Sequence, residues 1–404
     1  MAEHLVVVGA GQAAAQAILN LRQQNYAGSI TLIGDEPYAP YQRPPLSKKY
    51  FAGEVPRERL LLRPQSFYAD KGVALELGRR VTEIHRAAHA LRLDDGRTLR
   101  YDRLLLATGS RVRRLDAPGA ALAGVHHVRT IADIDSINAE LTPGARVVVV
   151  GGGYIGLEIA AVAIQRGFKV TVLEAAERVL GRVVCTQVSE FYTELHRAAG
   201  VEILCGANVR ALHGGARVES VEIVDGRRFA CDVVIVGIGI VPNVELAAAA
   251  GLECANGVRV DQYARTADAD VLAAGDCTSH PHALYGRVVR LESVPNAVHQ
   301  AKVAAASLLG TPSAYSETPW FWSDQYDVKL QIVGLSHGYD DVVLRGDPAK
   351  RSFSVYYLAG RRLIAVDAVN SAREFAHAKQ LVSASFTIDA DVLRDPRTDP
   401  LSLG

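Results

Sequence analysis

Two short glycine-rich runs carry the chemistry of this chain. The first, Gly9-Ala10-Gly11-Gln12-Ala13-Ala14, follows the apolar residues 5–8; the second, Gly151-Gly152-Gly153-Tyr154-Ile155-Gly156, follows residues 147–150. Each predicts a strand, a tight turn and a helix. In such a unit the first glycine makes the turn. The second lets the backbone approach a pyrophosphate, and the third small residue lets the helix pack close to the strand. Free N–H groups and the dipole at the helix N-terminus favour the phosphates. Each run is followed by a second strand with an acidic end, residues 30–33 leading into Gly34-Asp35-Glu36 and residues 170–173 into Glu174. A carboxylate there accepts hydrogen bonds from an adenosine ribose. Two such cradles imply two dinucleotides held at once, with a hydride moved between them.

The elements that position these runs repeat: residues 5–35 and 147–174 are the same strand–helix–strand unit used twice. Residues 101–110 predict a strand broken at Thr108-Gly109, and residues 231–239 a similar one closing the second unit. Residues 268–277 predict a strand ending in Gly275-Asp276. After Ser293-Val294-Pro295-Asn296 a helix is expected over residues 297–309. Alternating strands and helices predict an α/β chain with parallel sheets. From about Ala314 strands over 329–334, 341–345, 352–357 and 363–369, then a helix over 372–382, predict a small α+β domain. The tail 395–404 is expected to be poorly ordered.

A chain of 404 residues with 49% hydrophobic content suggests two or three domains. Lys plus Arg equals Asp plus Glu at 44 each, so nothing global points to nucleic acid or an anionic membrane. Cys185, Cys205, Cys231, Cys254 and Cys277 form no CxxC pair. The usual zinc and iron–sulfur patterns are therefore absent, and a secreted disulfide framework is disfavoured. His280-Pro281-His282 lacks a third ligand nearby and reads as a loop, so no metal is expected. The sequence contains no long apolar span and no signal-peptide pattern, which predicts a cytoplasmic protein.

The two fingerprints, Ala107-Thr108-Gly109, Gly275-Asp276 and the tryptophan-containing third domain resemble the pyridine nucleotide–disulfide reductase-fold flavoproteins. Within that group, Pro40-Tyr41-Gln42-Arg43-Pro44-Pro45-Leu46-Ser47-Lys48 and Pro319-Trp320-Phe321-Trp322-Ser323-Asp324-Gln325 resemble the NADH-dependent ferredoxin reductases of bacterial oxygenase systems, the putidaredoxin reductase type. The resemblance covers essentially the whole chain. It implies two Rossmann-like domains of the glutathione reductase kind plus a small α+β domain. The FAD-binding domain would comprise 1–107 and 241–311, the NADH-binding domain 108–240 and the C-terminal domain 312–404. FAD and NADH are the implied cofactors. A small 2Fe-2S ferredoxin is the implied acceptor, feeding a haem-thiolate cytochrome monooxygenase or a ring-hydroxylating dioxygenase. Disulfide reductases of this fold keep CxxxxC after the first ribose-binding strand, and the oxidases and peroxidases a single cysteine. This chain has no cysteine before Cys185, so flavin electrons must leave to an external acceptor. A rubredoxin reductase is the nearest rival, and an NADH-responsive flavoprotein of the apoptosis-inducing factor type is the rival from another class.

The resemblance also assigns roles. Lys48 lies close to the flavin ring, where a cation offsets the charge arriving with a hydride; the bland alternative is a surface lysine. Glu158 faces the nicotinamide carboxamide, or is a mid-helix surface glutamate. Trp322 packs near the flavin, with Trp320 as the alternative. These three are the implied catalytic residues. Gly9, Ala10, Gly11, Ala14, Arg43, Val81, Ala107, Thr108, Gly109, Arg129 and Gly275 are implied FAD contacts. Asp35 holds the FAD ribose, shared with Glu36, or caps a turn. Asp276 bonds the ribityl chain or caps a helix. Val294 presents its backbone N–H to the flavin from a helix start. Gly151, Gly153, Tyr154, Ile155, Gly156 and Gly239 are implied NADH contacts. Glu174 favours NADH over NADPH, helped by Glu177 and opposed by Arg178 and Arg182. Lys302, with Arg287 and Arg290, and more remotely Lys329 and Arg345, would meet the ferredoxin.

Overall fold

In the computed structural model, which describes residues 3–404, the chain opens with β1 (His4–Val8), α1 (Gln12–Gln23), β2 (Ser29–Gly34), β3 (Val73–Leu77) and β4 (Arg103–Leu106). Next come β5 (Val125–His127), α2 (Ile131–Glu140), β6 (Arg146–Val150), α3 (Tyr154–Gln165), β7 (Lys169–Leu173), α4 (Thr186–Ala198), β8 (Glu202–Leu204) and β9 (Val233–Val236). β10 (Val271–Ala273) and α5 (Val294–Leu308) precede a run of five strands, β11 (Trp320–Gln325), β12 (Val328–Gly334), β13 (Asp341–Asp347), β14 (Ser352–Ala359) and β15 (Arg362–Val369), and then α6 (Ala372–Ser383).

Residues up to Gln42, Glu58–Arg111 and Val241–Pro319 form one compact unit. Its parallel sheet has the order β10-β4-β1-β2-β3. The alternation of side chains along a strand builds a core on each face. Leu5 and Val7 of β1 pack with α1 and α5, through Ala14, Ile18, Ala301 and Ala304. Val6 and Val8 face the opposite way, onto a cluster with Ile84, Leu91 and Leu93.

The second unit comprises Arg43–Arg57, Val112–Ile240 and Trp320–Gly404. It contains a parallel sheet, β8-β7-β6-β9-β5, and an antiparallel one, β11-β12-β15-β14-β13. Val148 and Val150 of β6 are buried with Leu173, Val221 and Val234.

The four strands expected after residue 320 are present, each extended by one or two residues. The aromatic run 320–325, read only as a motif, is an edge strand paired with β12. The helix expected over 297–309 begins earlier, at Val294, because Ser293 caps it by accepting from the Asn296 N–H at 3.2 Å. The tail expected to be poorly ordered is instead tied down. Arg345 donates to the carbonyls of Leu393, Asp395 and Thr398 at 2.5, 2.6 and 2.7 Å, and His377 donates to that of Leu403 at 2.8 Å. Among the described residues no helix is long and apolar enough to cross a membrane.

Candidate functional site

In both units the glycine-rich turn is built the same way. The Gly9 N–H continues the ladder to the Ile33 carbonyl at 2.8 Å, and the Gly151 N–H does so to that of Leu173, also at 2.8 Å. Both glycines have positive φ, +107° and +109°, which a side chain rarely adopts. A Cβ on Gly9 would overlap the Ala107 carbonyl, and one on Gly151 that of Gly237. Glycine is thus required where each turn passes the end of the neighbouring strand.

The next glycine is different. A Cβ on Gly11 or Gly153 would meet nothing within 4 Å. Both residues are N-caps with no side-chain hydrogen bond into their helices, α1 and α3. By contrast Thr130 caps α2 through a reciprocal bond with Asp133, and Ser293 caps α5. The open space over Gly11 and Gly153, with uncapped N–H donors beneath it, fits a pyrophosphate at each turn.

In the first unit Asp35 is exposed, its carboxylate 3.2 Å from Arg80. Glu36 accepts from the Tyr41 hydroxyl at 2.6 Å. Thr108 and Asn243 bond reciprocally, each to the other's carbonyl at 2.8 Å. Gly275, with φ +90°, donates its N–H to the buried Gln300 at 2.8 Å. Asp276 accepts from Ser110 Oγ at 2.9 Å. It caps no helix, since the chain continues into the strand Thr278–His282. Val81 is buried, and Val294 is the first residue of α5. Lys302 and Arg287 are exposed, while Arg290 is paired with Glu292 and bonded to Asn256. His280 and His282 are buried against the Tyr315 ring, and burial lowers the pKa of both, His280 to about 4. Among the described residues no group of acids, histidines and cysteines is placed to hold a metal ion.

In the second unit the Glu174 carboxylate accepts from the Gly152 N–H at 2.5 Å and the Ala176 N–H at 2.7 Å, so it braces the glycine-rich turn. Arg178 is occupied by the carbonyls of Gly181, Val184 and Cys185. Gly239, φ +104°, would place a Cβ 3.9 Å from Arg182 Nη2, and its carbonyl accepts from the Arg113 N–H at 2.9 Å. Arg129 accepts at its carbonyl from Arg43 Nη1 at 2.6 Å.

Glu158 is the centre of the second unit's polar chemistry. It is 2% exposed, not a surface residue. The reason lies in α3, whose residues around it, Leu157, Ile159, Ala160 and Ala161, are buried on every side. Its Oε2 accepts from Lys48 Nζ at 2.7 Å and from Ser47 Oγ at 2.5 Å; its Oε1 accepts from Ser323 Oγ at 2.6 Å. A carboxylate offers about four acceptor positions, so one remains, on Oε1. Lys48 is no solvated surface lysine either, its side chain being 18% exposed. The segment carrying it is fixed to the second unit at several points. Tyr50 and Arg57 donate to Asp135 at 2.6 and 2.7 Å. Arg166 donates to the Phe51 carbonyl at 2.8 Å while lying 4.8 Å from the centre of that ring. Tyr154 packs its ring 4.8 Å from that of Phe321, and its buried hydroxyl has no hydrogen-bond partner among the described residues. Trp322 is half-buried, with the Trp320 ring 5.6 Å away and tilted by 33°.

Residues 3–301 match the family model for pyridine nucleotide-disulphide oxidoreductases, and residues 320–402 the model for the reductase C-terminal domain. The chain belongs to the pyridine nucleotide-disulphide oxidoreductase family. It is similar to a probable ferredoxin reductase, CtmF, of Castellaniella defragrans, with 45% identity over 403 residues covering 99% of this chain and 98% of the relative. Putidaredoxin reductase CamA of Pseudomonas putida is 44% identical over 399 residues, covering 97% and 94%. The solved covalent putidaredoxin reductase–putidaredoxin complex superposes with a TM-score of 0.95 at 43% identity, over 98% of this chain and 97% of that one.

The cofactors of this oxidoreductase family are FAD and NAD(P)H, and the two open turns suit two such dinucleotides. All five cysteines are free. Sequence reasoning missed Ser47 and Ser323 as partners of Glu158. They lie 111 and 165 residues from it along the chain, and no local pattern links them.

Proposed function

We propose that this protein is an FAD-dependent NADH:ferredoxin oxidoreductase. It would pass electrons from NADH through FAD to a small 2Fe-2S ferredoxin that supplies a haem-thiolate monooxygenase or a ring-hydroxylating dioxygenase. The observation that carries the reading is the Lys48–Glu158 pair beside the second glycine-rich turn, in a chain with no thiol ahead of Cys185. A partly buried cation serves a reaction in which negative charge arrives with a hydride. The missing thiol sends the electrons outward.

When bound, FAD accepts the hydride and releases electrons one at a time. The chain's own residues bind, orient and tune. The first glycine-rich turn and the start of α1 take the FAD pyrophosphate, with Asp35 at its ribose and Thr108, Asp276 and the Val294 N–H along the flavin. This FAD domain is assigned to 1–107 and 241–311. The NADH domain, 108–240, holds the second pyrophosphate on the start of α3 and the adenosine ribose near Glu174. The acceptor position left on Glu158 Oε1 takes the carboxamide N–H. No side-chain acid or base takes part in the hydride transfer, so positioning is the protein's main contribution. Residues 312–404 complete the protein, with Trp322 beside the flavin. Exposed Lys302 and Arg287, with Arg290, would meet an acidic ferredoxin, and the location would be cytoplasmic.

The test is NADH-driven reduction of a purified 2Fe-2S ferredoxin and, in parallel, of a rubredoxin. Rapid ferredoxin reduction, slowed by Lys302→Glu without any change in flavin reduction by NADH, supports the reading. A preference for rubredoxin, or negligible turnover with both, overturns it.

A further inference from the structure

Behind Glu158 the polar contacts continue. Ser323 is fully buried, and its Oγ lies 3.2 Å from Gln325 Nε2. Gln325 Oε1 lies 2.8 Å from His196 Nε2, and His196 Nδ1 lies 3.0 Å from the Tyr326 hydroxyl. Gln325 and His196 are also buried. These residues come from β11, the turn after it and α4, and they form one unbroken file ending at the carboxylate.

The direction of every bond in the file follows from its end. An ionised carboxylate only accepts, so the single Ser323 hydroxyl proton goes to Glu158. The Ser323 oxygen must then accept, which turns the Gln325 NH₂ toward it and the Gln325 carbonyl toward His196. That carbonyl needs a donor, so His196 carries its proton on Nε2. Burial pushes the His196 pKa down to about 4, so the ring is neutral near pH 7 and Nδ1 is an acceptor for the Tyr326 hydroxyl. Tyr326, His196, Gln325 and Ser323 thus donate head to tail toward Glu158. Bonds aligned in one direction polarise one another and strengthen the last.

We propose that Ser323, Gln325 and His196 are positioning residues: their oriented file holds the Glu158 carboxylate so that its last acceptor position meets the nicotinamide carboxamide. The inference rests on the proposed role of Glu158. The file places the C-terminal domain in the binding of the reacting end of NADH, through a residue adjacent to Trp322. The other ionisable groups around Glu158 are Lys48 and the buried phenols of Tyr154 and Tyr192, with Asp367 and Asp324 next to those phenols. None of them supplies a donor to Oε1 in place of Ser323.

The experiment compares NAD⁺ with ADP-ribose, which has the same pyrophosphate and adenosine but no nicotinamide, binding to the FAD-loaded protein. For Ser323→Ala we expect NAD⁺ affinity to fall about tenfold, the low end for one hydrogen bond to a charged group, with ADP-ribose affinity unchanged. Gln325→Met gives a smaller loss in the same direction. General damage to the domain would lower both affinities together and overturn the proposal. Glu158→Gln separates the two layers. If it leaves the NAD⁺ to ADP-ribose ratio unchanged, the role of Glu158 itself fails. If it lowers the ratio and Ser323→Ala does not, the file fails while the role of Glu158 stands. A measurement on the unsubstituted protein needs no variant to fold: ¹⁵N NMR of the histidine rings should show His196 protonated at Nε2 with an unprotonated Nδ1. The opposite tautomer breaks the file and contradicts the inference.

Discussion

At the first glycine-rich turn the third small residue is Ala14, fully buried where α1 meets the sheet. At the second it is Gly156, where a Cβ would overlap the Gly151 carbonyl oxygen. The acids differ as well. Asp35 stands in solvent with Arg80, whereas Glu174 is drawn in and bonded to two N–H groups at its own turn. The same backbone device therefore has two degrees of prior organisation. The first turn leaves its acid in solvent, paired with Arg80, and the second has its acid bonded to its own loop. Close helix packing at the second turn admits no side chain, while the first has room for a methyl group.

The largest effect that separates the turns is expected from their third residues. Gly156→Ala must displace backbone and should abolish reduction of the protein by NADH, read by anaerobic flavin bleaching. Ala14→Gly costs about 1 kcal/mol from chain entropy plus some packing, and should leave a working enzyme with a lower melting temperature. Next comes the Lys48–Glu158 ion pair of the second unit. Lys48→Met leaves the Glu158 carboxylate with two hydroxyl donors and no cation, and should destabilise the protein by about 3 kcal/mol; urea unfolding measures it, and restoration of full stability by the double variant Lys48→Met/Glu158→Gln would confirm the cause.

Acid should act through a buried histidine in each unit. His280 in the first and His196 in the second are pushed by burial to about 4, below the unfolded value of about 6.5. The unfolded chain therefore binds more protons between these values. The contribution is fully present above about pH 6.5 and is lost as pH falls toward 4. Each histidine accounts for on the order of 3 kcal/mol. The second unit has an opposing group. Burial raises Asp367 to about 7, above its unfolded value of about 3.9, so its contribution is present below about pH 3.9 and is lost as pH rises through 7. Asp367→Asn should raise the melting temperature at pH 8 and change it little at pH 4. The smallest effect is expected from the acids. Glu174→Ala removes two hydrogen bonds to backbone N–H groups, about 2–3 kcal/mol in all, whereas Asp35→Ala removes only an exposed ion pair, at most about 1 kcal/mol. Comparing their melting temperatures without added nucleotide ranks the two turns.

The parallel sheets were legible in the sequence because runs such as residues 5–8 and 147–150 are apolar on both faces. The glycines were legible because positive φ and close approach leave few other choices. What escaped was the product of contacts between distant residues. Ser47 and Ser323 have ordinary neighbours, and only folding places them on Glu158. The aromatic run 320–325 hides a strand whose partner sets its register. The alternative of a helix cap at Asp276 falls because the following residues form a strand, and the tail looked loose because its anchor, Arg345, lies some fifty residues upstream.

In the proposed function both turns hold a dinucleotide and a hydride passes between them. Anaerobic stopped-flow mixing of the FAD-loaded protein with NADH and, separately, with NADPH tests it most directly. Fast bleaching of the flavin by NADH and little by NADPH is expected. A protein that binds no flavin, or whose flavin neither nucleotide bleaches, would contradict it.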